Sequence, residues 1–282
     1  MSRPADDSPS VRDPHRFIND LEPDMINRLV DRLESRGKDR VFTRLFDKYC
    51  SRLELPPGAH VLEIGSGTGV VARALARKKG ADVHVTGVDQ SPALIRVARE
   101  ICAREHLEDW LKFEVGDAHA LRFGPECFDT VIAHTLISHV SDPVTVLREA
   151  RRVLVPGGTL VVFDGDYASL TYACSEAETG RNMDWALARA AFNNPVVMRG
   201  LPELLESAGL DLTETLADVV SEIGQASYFR SLAETYAPLI ASSGLASQVE
   251  VDAWLDEQTR AMDSGRFFAS CNYYSVFARR PD

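Results

Sequence analysis

The chain has 282 residues, of which 45% are hydrophobic and 26% are charged, a composition that excludes a disordered or collagen-like protein. Its 31 basic and 42 acidic residues give a net charge of −11, which repels polyanions, so we expect a small-molecule substrate and no nucleic-acid partner. No apolar run reaches the roughly 18 residues of a membrane helix and the first residues lack a signal-peptide core, so we expect no membrane association and a cytoplasmic location.

The N-terminal part is predicted to form a tail and a helical cover. Residues 1–14 are polar and rich in Pro, Asp and Ser, so we expect a flexible tail. From Phe17 to Leu53, apolar residues recur at intervals of three and four, the period of amphipathic helices. We therefore predict two helices within residues 15–54, which act as a lid over the core or simply pack against it.

Residues 55–164 alternate short apolar runs with amphipathic stretches. Strand-like runs lie at 61–64, 83–89, 111–115, 130–133 and 159–163, and helical patterns lie at 70–79, from 92 onward and at 143–154. This alternation predicts a parallel sheet covered on both faces, the cofactor-binding α/β core. Residues 165–265 are predicted to complete the core with a strand at 212–221 and two helical cap inserts, at 165–200 and 224–265. Residues 266–282 are predicted to contain the terminal strand.

A glycine-rich segment, EIGSGTG over residues 63–69, joins the first predicted strand to the first core helix. Bare backbone at such a position lets a nucleotide-like ligand approach closely. Val70 stands where the dinucleotide fingerprint needs its third glycine, and no Gly-Lys-Ser/Thr follows for a P-loop. Asp89 ends the next strand, where a carboxylate can accept both hydroxyls of a ribose. Because Glu63 would repel a phosphate and attract a cation, the loop favours a positively charged adenosine cofactor over NAD.

Five motifs follow one another over about a hundred residues: VLEIGSGTG (61–69), VTGVDQS (85–91), VGDAHAL (115–121), FDTVIAHTLISHVSDP (128–143) and RRVLVPGGTLVVFD (151–164). In these motifs the chain resembles the class I S-adenosylmethionine-dependent methyltransferases, and more narrowly the bacterial small-molecule group with quinone-biosynthesis-like domains. The resemblance implies an α/β, doubly wound, Rossmann-like sheet of seven mostly parallel strands with an antiparallel last strand. N-terminal helices and helical cap inserts would cover it.

The resemblance also implies the cofactor, S-adenosyl-L-methionine, with S-adenosyl-L-homocysteine as product. The implied cofactor-binding residues are Glu63, Gly65, Ser66, Gly67, Gly69, Asp89, Gln90, Asp117, Ala118, Ala133 and His134. The glycine loop would lie against the methionine part, with Glu63 near its ammonium and Asp89 at the ribose. Asp117 would accept from the adenine amino group, with a turn-capping aspartate as the alternative. No metal is predicted.

Three residues are candidates for catalysis: His134, His139 and Tyr167. Proximity and desolvation supply much of the rate of methyl transfer, so a general base is not obligatory. A neutral imidazole can accept a proton near pH 7, although His139 at a helix entry could instead satisfy nearby backbone. Tyr167 follows the fifth strand at the carboxyl edge, where the substrate is expected.

The predicted function is methyl transfer to a small apolar or aromatic acceptor in secondary or quinone-like metabolism. Arg199 could bind an acceptor anion or pair with a surface acid, and Arg40 and Arg44 could line the entrance or face solvent. Alternatives are a cofactor-binding fold reused without methyl transfer, as a regulatory subunit or cyclisation scaffold, and an NAD-dependent oxidoreductase. The five scattered cysteines disfavour an arsenic methyltransferase acting through Cys174. The sequence does not indicate the oligomeric state.

Overall fold

The structure is a computed structural model that describes residues 13–282. The strands are β1 (Ala59–Ile64), β2 (Val83–Asp89), β3 (Leu111–Val115), β4 (Phe128–His134), β5 (Leu154–Tyr172), β6 (Asp211–Gly224) and β7 (Phe267–Arg279). The α-helices are α1 (Pro23–Lys38), α2 (Arg40–Cys50), α3 (Val70–Lys79), α4 (Pro92–Arg104), α5 (Pro143–Val153), α6 (Ala177–Ala191), α7 (Val197–Ala208), α8 (Tyr228–Ser242) and α9 (Gln248–Asp263). Short 3₁₀ turns lie at Ile18–Asp20 and Gly80–Asp82.

One sheet of 7 strands runs in the order β3-β2-β1-β4-β5-β7-β6. Strands β1 to β5 pair in parallel, whereas β7 is antiparallel to both of its neighbours, β5 and β6. This confirms the predicted doubly wound sheet with an antiparallel last strand. Because the strand order reverses between β1 and β4, the carboxyl ends of these strands form the crevice in which open α/β sheets bind ligands.

Two helices of the core begin at a side-chain cap that the sequence offers. The Ser91 hydroxyl accepts a hydrogen bond from the backbone N–H of Leu94 at the start of α4, and Asp142 does the same for Thr145 at the start of α5. Pro follows both caps, at a position where its missing N–H costs nothing. Apolar side chains of the sheet then pack against helices on both faces, in two buried clusters.

The predicted cap inserts are only partly helical. Strand β5 continues through the first residues of the 165–200 insert as far as Tyr172, because residues beyond the predicted end pair with β7, from Gly165 opposite Tyr273 to Tyr172 opposite Ala269. The rest of that insert forms α6 and the start of α7, and α8 and α9 occupy the 224–265 insert. Among the described residues, none of the helices has the length and apolar character that crossing a membrane requires.

The predicted flexible tail lies mostly outside the described residues, which begin at residue 13. The prediction is wrong for Asp13, whose side chain is 2% exposed. Its carboxylate accepts hydrogen bonds from the backbone N–H groups of His15 and Asn193, at 2.8 and 2.9 Å. These bonds, together with a contact to His139, offset the cost of ordering the segment.

Candidate functional site

A cavity of about 420 Å³ lies at the carboxyl ends of β1, β2 and β4. Its floor is formed by the loops that follow β1, β3 and β4 and by the end of β2. Its walls come from α1 and α2 on one side and from α8 and the segment after α6 on the other. The N-terminal helices and the cap inserts therefore enclose a space that begins at the glycine loop.

The glycine loop presents backbone to this cavity. Gly65 and Gly67 have φ angles of +71° and +55°, a left-handed conformation that other residues rarely adopt. A Cβ at Gly65 would lie 2.6 Å from the Leu136 side chain, and one at Gly67 would lie 3.2 Å from Leu33. Between them, the buried Ser66 hydroxyl has no hydrogen-bond partner within residues 13–282. The loop thus offers an unused polar group and no space for larger side chains.

Two carboxylates flank the loop in a desolvated environment. Glu63 is 3% exposed, and burial raises its pKa to about 8, with a smaller contribution from Asp89 and opposed by a hydrogen bond from the Ala72 backbone. Burial also raises the pKa of Asp89, against hydrogen bonds from the backbone N–H groups of Ser91 and Gly67. Ionisation of either group becomes easier when a cation or hydroxyl donors approach.

The remaining residues predicted around the adenosine line the cavity, but the side chains of Asp117 and Gln90 already have hydrogen-bond partners. Asp117 and Ala118 line the cavity, and the Asp117 carboxylate accepts from the backbone and ring of His119, both at 2.8 Å. The Gln90 amide also lines the cavity but donates to the backbone carbonyls of His15 and Arg16. It therefore ties the N-terminal segment to the end of β2.

The structure does not bring two of the predicted cofactor-binding residues to the cavity. Ala133 is fully buried within β4, with its backbone paired to Ile64 and Val162 in the neighbouring strands. Gly69 is the N-cap of α3, and a Cβ there would lie 2.2 Å from the Phe113 ring. Packing against Phe113 alone therefore requires its small size.

His134 and His139 both line the cavity but differ in their partners. The Nδ1 of His134 lies 3.0 Å from the Tyr49 hydroxyl, and its pKa is well below the usual value because of burial and the positive charge of Arg36. The Nδ1 of His139 lies 2.7 Å from Oδ2 of Asp13. Burial lowers the pKa of His139, but the charge and hydrogen bond of Asp13 outweigh it and the pKa is raised.

Asp13 was missed by sequence reasoning because its contact with His139 spans 126 residues and its polar surroundings give no signal. A second imidazole, that of His15, lies over His139 with ring centroids 4.5 Å apart. The His15 Nε2 lies 2.8 Å from the Tyr236 hydroxyl, and burial, followed by the charge on His139, lowers its pKa well below the usual value. One histidine of the pair is thus favoured as a cation and the other as a neutral ring.

Tyr167 lines the cavity with its ring stacked on that of Phe192, at a centroid distance of 3.3 Å. Burial raises the pKa of its hydroxyl well above 10, so the group is a hydrogen-bond donor near neutral pH. The neighbouring Asp166 instead forms an ion pair with Arg199, at 3.0 Å. Neither of that pair lines the cavity, so the exposed Arg199 pairs with an acid, as in the second alternative, but that acid is buried and not on the surface. Cys174 donates to a carboxylate, that of Glu257, away from the cavity.

The arginines that line the cavity are not those considered from the sequence. Arg40 and Arg44 lie outside it, whereas Arg16 and Arg77 line it, as do Arg32 and Arg36 of α1. These two follow Leu29 and Leu33 at intervals of three residues, on the face of α1 that turns toward the protein. Charged residues on the apolar face of a helix were the available signal.

The comparisons with known proteins agree with this geometry. Residues 55–214 match the family model described as "Methyltransferase domain". Methyltransferase GfsG of Streptomyces halstedii is 34% identical over 67% of this chain and 64% of its own length. A 2-phytyl-1,4-naphtoquinone methyltransferase of Thermosynechococcus vestitus is 38% identical over 50% of this chain and 59% of its own length. The chain thus covers less than two thirds of each of these relatives.

Solved structures share the fold at lower identity. The crystal structure of the [4+2]-cyclase SpnF superposes with a TM-score of 0.56 and 22% identity, over 85% of this chain and 82% of that one.

Proposed function

Since the chain belongs to the class I S-adenosylmethionine-dependent methyltransferases, whose cofactor is S-adenosyl-L-methionine, we propose that it methylates a small organic acceptor with an apolar or aromatic body. The observation that carries this proposal is the cavity that runs from the glycine loop to the aromatic side chains of Tyr167, Phe192, Tyr228 and Tyr236. The quinone methyltransferase among its relatives is consistent with an aromatic acceptor.

The residues present fit the cofactor. The buried Ser66 hydroxyl without a partner and the backbone of Gly65 and Gly67 are suited to the methionine part. Glu63, with its pKa near 8, would ionise beside an ammonium group. Asp89 uses its carboxylate oxygens for two backbone N–H groups and retains lone pairs for ribose hydroxyls.

Asp117, Ala118 and Gln90 would surround the adenine, and His134 would lie beside the sulfur. When bound, the cofactor supplies an electrophilic methyl group on a cationic sulfur and leaves as S-adenosyl-L-homocysteine. The protein's tasks are then to hold the acceptor in line, exclude water and remove a proton where the acceptor carries one.

We assign proton removal to His139. Its Nδ1 donates to Asp13, so the neutral ring presents Nε2 as the acceptor, and Asp13 stabilises the imidazolium that forms. His134 lacks a carboxylate partner and its pKa is depressed, so its ring is suited to packing and not to holding a proton. Tyr167, held by Phe192, would donate a hydrogen bond that orients the acceptor.

The test is turnover by the full chain. Purified protein is incubated with S-adenosyl-L-methionine and a panel of phenols, quinones and amines, and S-adenosyl-L-homocysteine is quantified. We expect acceptor-dependent product, with loss of cofactor binding in Asp89→Ala. Tight cofactor binding without product from any acceptor would favour a fold reused without methyl transfer, and preferential binding of NAD would overturn the assignment.

A further inference from the structure

The part of the cavity beneath α1 holds two positive charges without acidic partners. Arg32 and Arg36 are one helical turn apart, and both line the cavity. Within residues 13–282, neither guanidinium forms an ion pair with a carboxylate. Arg32 donates to the Ser231 hydroxyl at 3.2 Å and Arg36 to the Thr135 hydroxyl at 2.9 Å. Both partners are neutral.

This arrangement is costly for the protein without a ligand. Arg32 is buried and Arg36 is half-buried. Buried charges are normally paired, and like charges at positions i and i+4 of a helix repel each other. The rings of Tyr228 and Tyr236, each with its centroid 5.2 Å from the Arg32 guanidinium carbon, offset part of the cost for Arg32. Arg36 lies 5.5 Å from the Phe42 centroid.

The acids near the cavity do not neutralise the two arginines. Glu63, Asp89 and Asp117 are the carboxylates that line it within the described residues, and all three belong to the end predicted to hold the cofactor. Asp13 and Asp164 do not line the cavity, and they are occupied by His139 and Ser138 respectively. Within residues 13–282, no carboxylate is therefore left to complement the two arginines, and a ligand could supply the anion.

The cofactor of the proposed function carries one carboxylate, on the methionine part that would lie against the glycine loop. The two arginines differ in their contacts relative to this loop. Arg36 donates to Thr135, whose chain neighbour Leu136 lies against Gly65 of the glycine loop. The contacts of Arg32 are instead with Ser231, Tyr228 and Tyr236 of α8. Arg16 and Arg77 also line the cavity, but Arg16 is exposed and donates to Asn193, and Arg77 is paired with Glu105. Arg32 is thus the buried cation left for a second anion.

We propose that Arg32 binds an oxyanion, a carboxylate or a phosphate, carried by the methyl acceptor. The inference rests on the proposed function and specifies its substrate class: an acceptor with an aromatic or apolar body and an acidic group. The planar guanidinium presents paired N–H donors that match two oxygens of such a group. Tyr228 and Tyr236 would pack against the apolar body beside it.

The experiment measures binding of three matched probes to the full chain saturated with S-adenosyl-L-homocysteine, by titration calorimetry. The probes are benzoate, phenyl phosphate and the neutral isostere benzamide. We expect at least one anion to bind about tenfold or more tightly than benzamide, as the loss of a charged hydrogen bond implies. Tighter binding of benzoate assigns a carboxylate acceptor, and tighter binding of phenyl phosphate assigns a phosphorylated one.

Substitutions of Arg32 test whether the anion binds at this residue. Arg32→Met is expected to abolish the preference for the anion, and Arg32→Lys to weaken anion binding several-fold, because one ammonium cannot match both oxygens. Arg28→Gln is the matched control, since Arg28 lies exposed on the same helix and its loss changes the net charge equally. Binding of S-adenosyl-L-homocysteine reports that each variant is folded.

The outcomes separate the two proposals. Failure of the wild-type protein to bind S-adenosyl-L-homocysteine contradicts the proposed function itself. Normal binding of that compound, with anions bound no better than benzamide or not at all, overturns only the oxyanion site. A preference that survives unchanged in both Arg32 variants also overturns it, because the anion would then bind elsewhere.

Discussion

The contact between Asp13 and His139 makes the pH dependence of the reaction predictable. The neutral imidazole is the active form of a base, and Asp13 raises the pKa of His139 above 6.5. The rate of the wild-type protein should therefore rise with pH through a value above 6.5. In Asp13→Asn the charge that raises the pKa of His139 is lost, so this pKa should fall. The rise in rate should therefore move to lower pH.

The same substitution should lower the maximal rate. An asparagine at position 13 can donate its amide N–H to Nδ1 of His139, which places the ring proton on Nε2 and removes the acceptor. The expected loss is about 10²–10⁴-fold, the usual contribution of a general base. The assay is the initial rate of S-adenosyl-L-homocysteine formation across pH, expressed as kcat/KM, with the best acceptor of the panel.

Asp20→Asn is the control, because Asp20 is exposed at the end of the same N-terminal turn and its loss changes the net charge equally. It should leave the profile unchanged. An Asp13→Asn protein that binds S-adenosyl-L-homocysteine normally and keeps both the wild-type maximum and the wild-type pH profile would refute the base assignment to His139. The reaction would then depend on proximity and desolvation alone.

Three further substitutions test the cofactor end. Gly67→Val should abolish binding of S-adenosyl-L-homocysteine in calorimetry, because the loop has a φ of +55° and a Cβ there already meets Leu33; retained affinity would place the ligand elsewhere. Asp89→Ala should weaken cofactor binding by about one to three kcal/mol, the cost of unpaired ribose hydroxyls, and unchanged affinity would remove Asp89 from the site. Glu63 has a folded pKa of about 8 against an ordinary 4.5, so folding favours its protonated form and stability without ligand should fall as pH rises between these values. The unfolding temperature of Glu63→Gln should therefore decline less than that of the wild-type protein as pH rises. An identical pH dependence of the unfolding temperature in both proteins would contradict the raised pKa of Glu63.

The core of the fold was predictable because its signals are local. The predicted bounds of β2, β3 and α3 agree with the structure, since the apolar pattern of each element lies within a few residues. The glycine loop was equally predictable, because residues other than glycine rarely adopt positive φ angles such as those at Gly65 and Gly67. Residues of this kind specify structure without reference to distant parts of the chain.

The less predictable features depend on contacts between distant segments. Strand β5 is longer than predicted because β7, about a hundred residues later, supplies its hydrogen-bonding partners. Asp13 lies in a polar stretch that is typical of a tail, and its contacts with the distant His139 and Asn193 are what order it. Arg32 and Arg36 could have been noticed on the inner face of α1, but the cavity that they line requires α8 as well.

The N-terminal segment, residues 13–38, connects both ends of the site through apolar and polar contacts. Ile18 and Leu29 are buried in the core, and Leu21, Val30 and Leu33 pack against it. Hydrogen bonds to site loops add to this attachment, including Gln90 to the backbone of residues 15 and 16 and Arg36 to Thr135.

Because bonds of this kind contribute little net stability each, the segment should open more easily than the sheet. A cofactor under Gln90 and an anion on Arg32 would add contacts to the closed form alone, and the predicted lid would then close on its ligands by population shift. Such closure would hold Asp13 on His139 while the cavity is filled, and it would link the maintenance of the base to the exclusion of water.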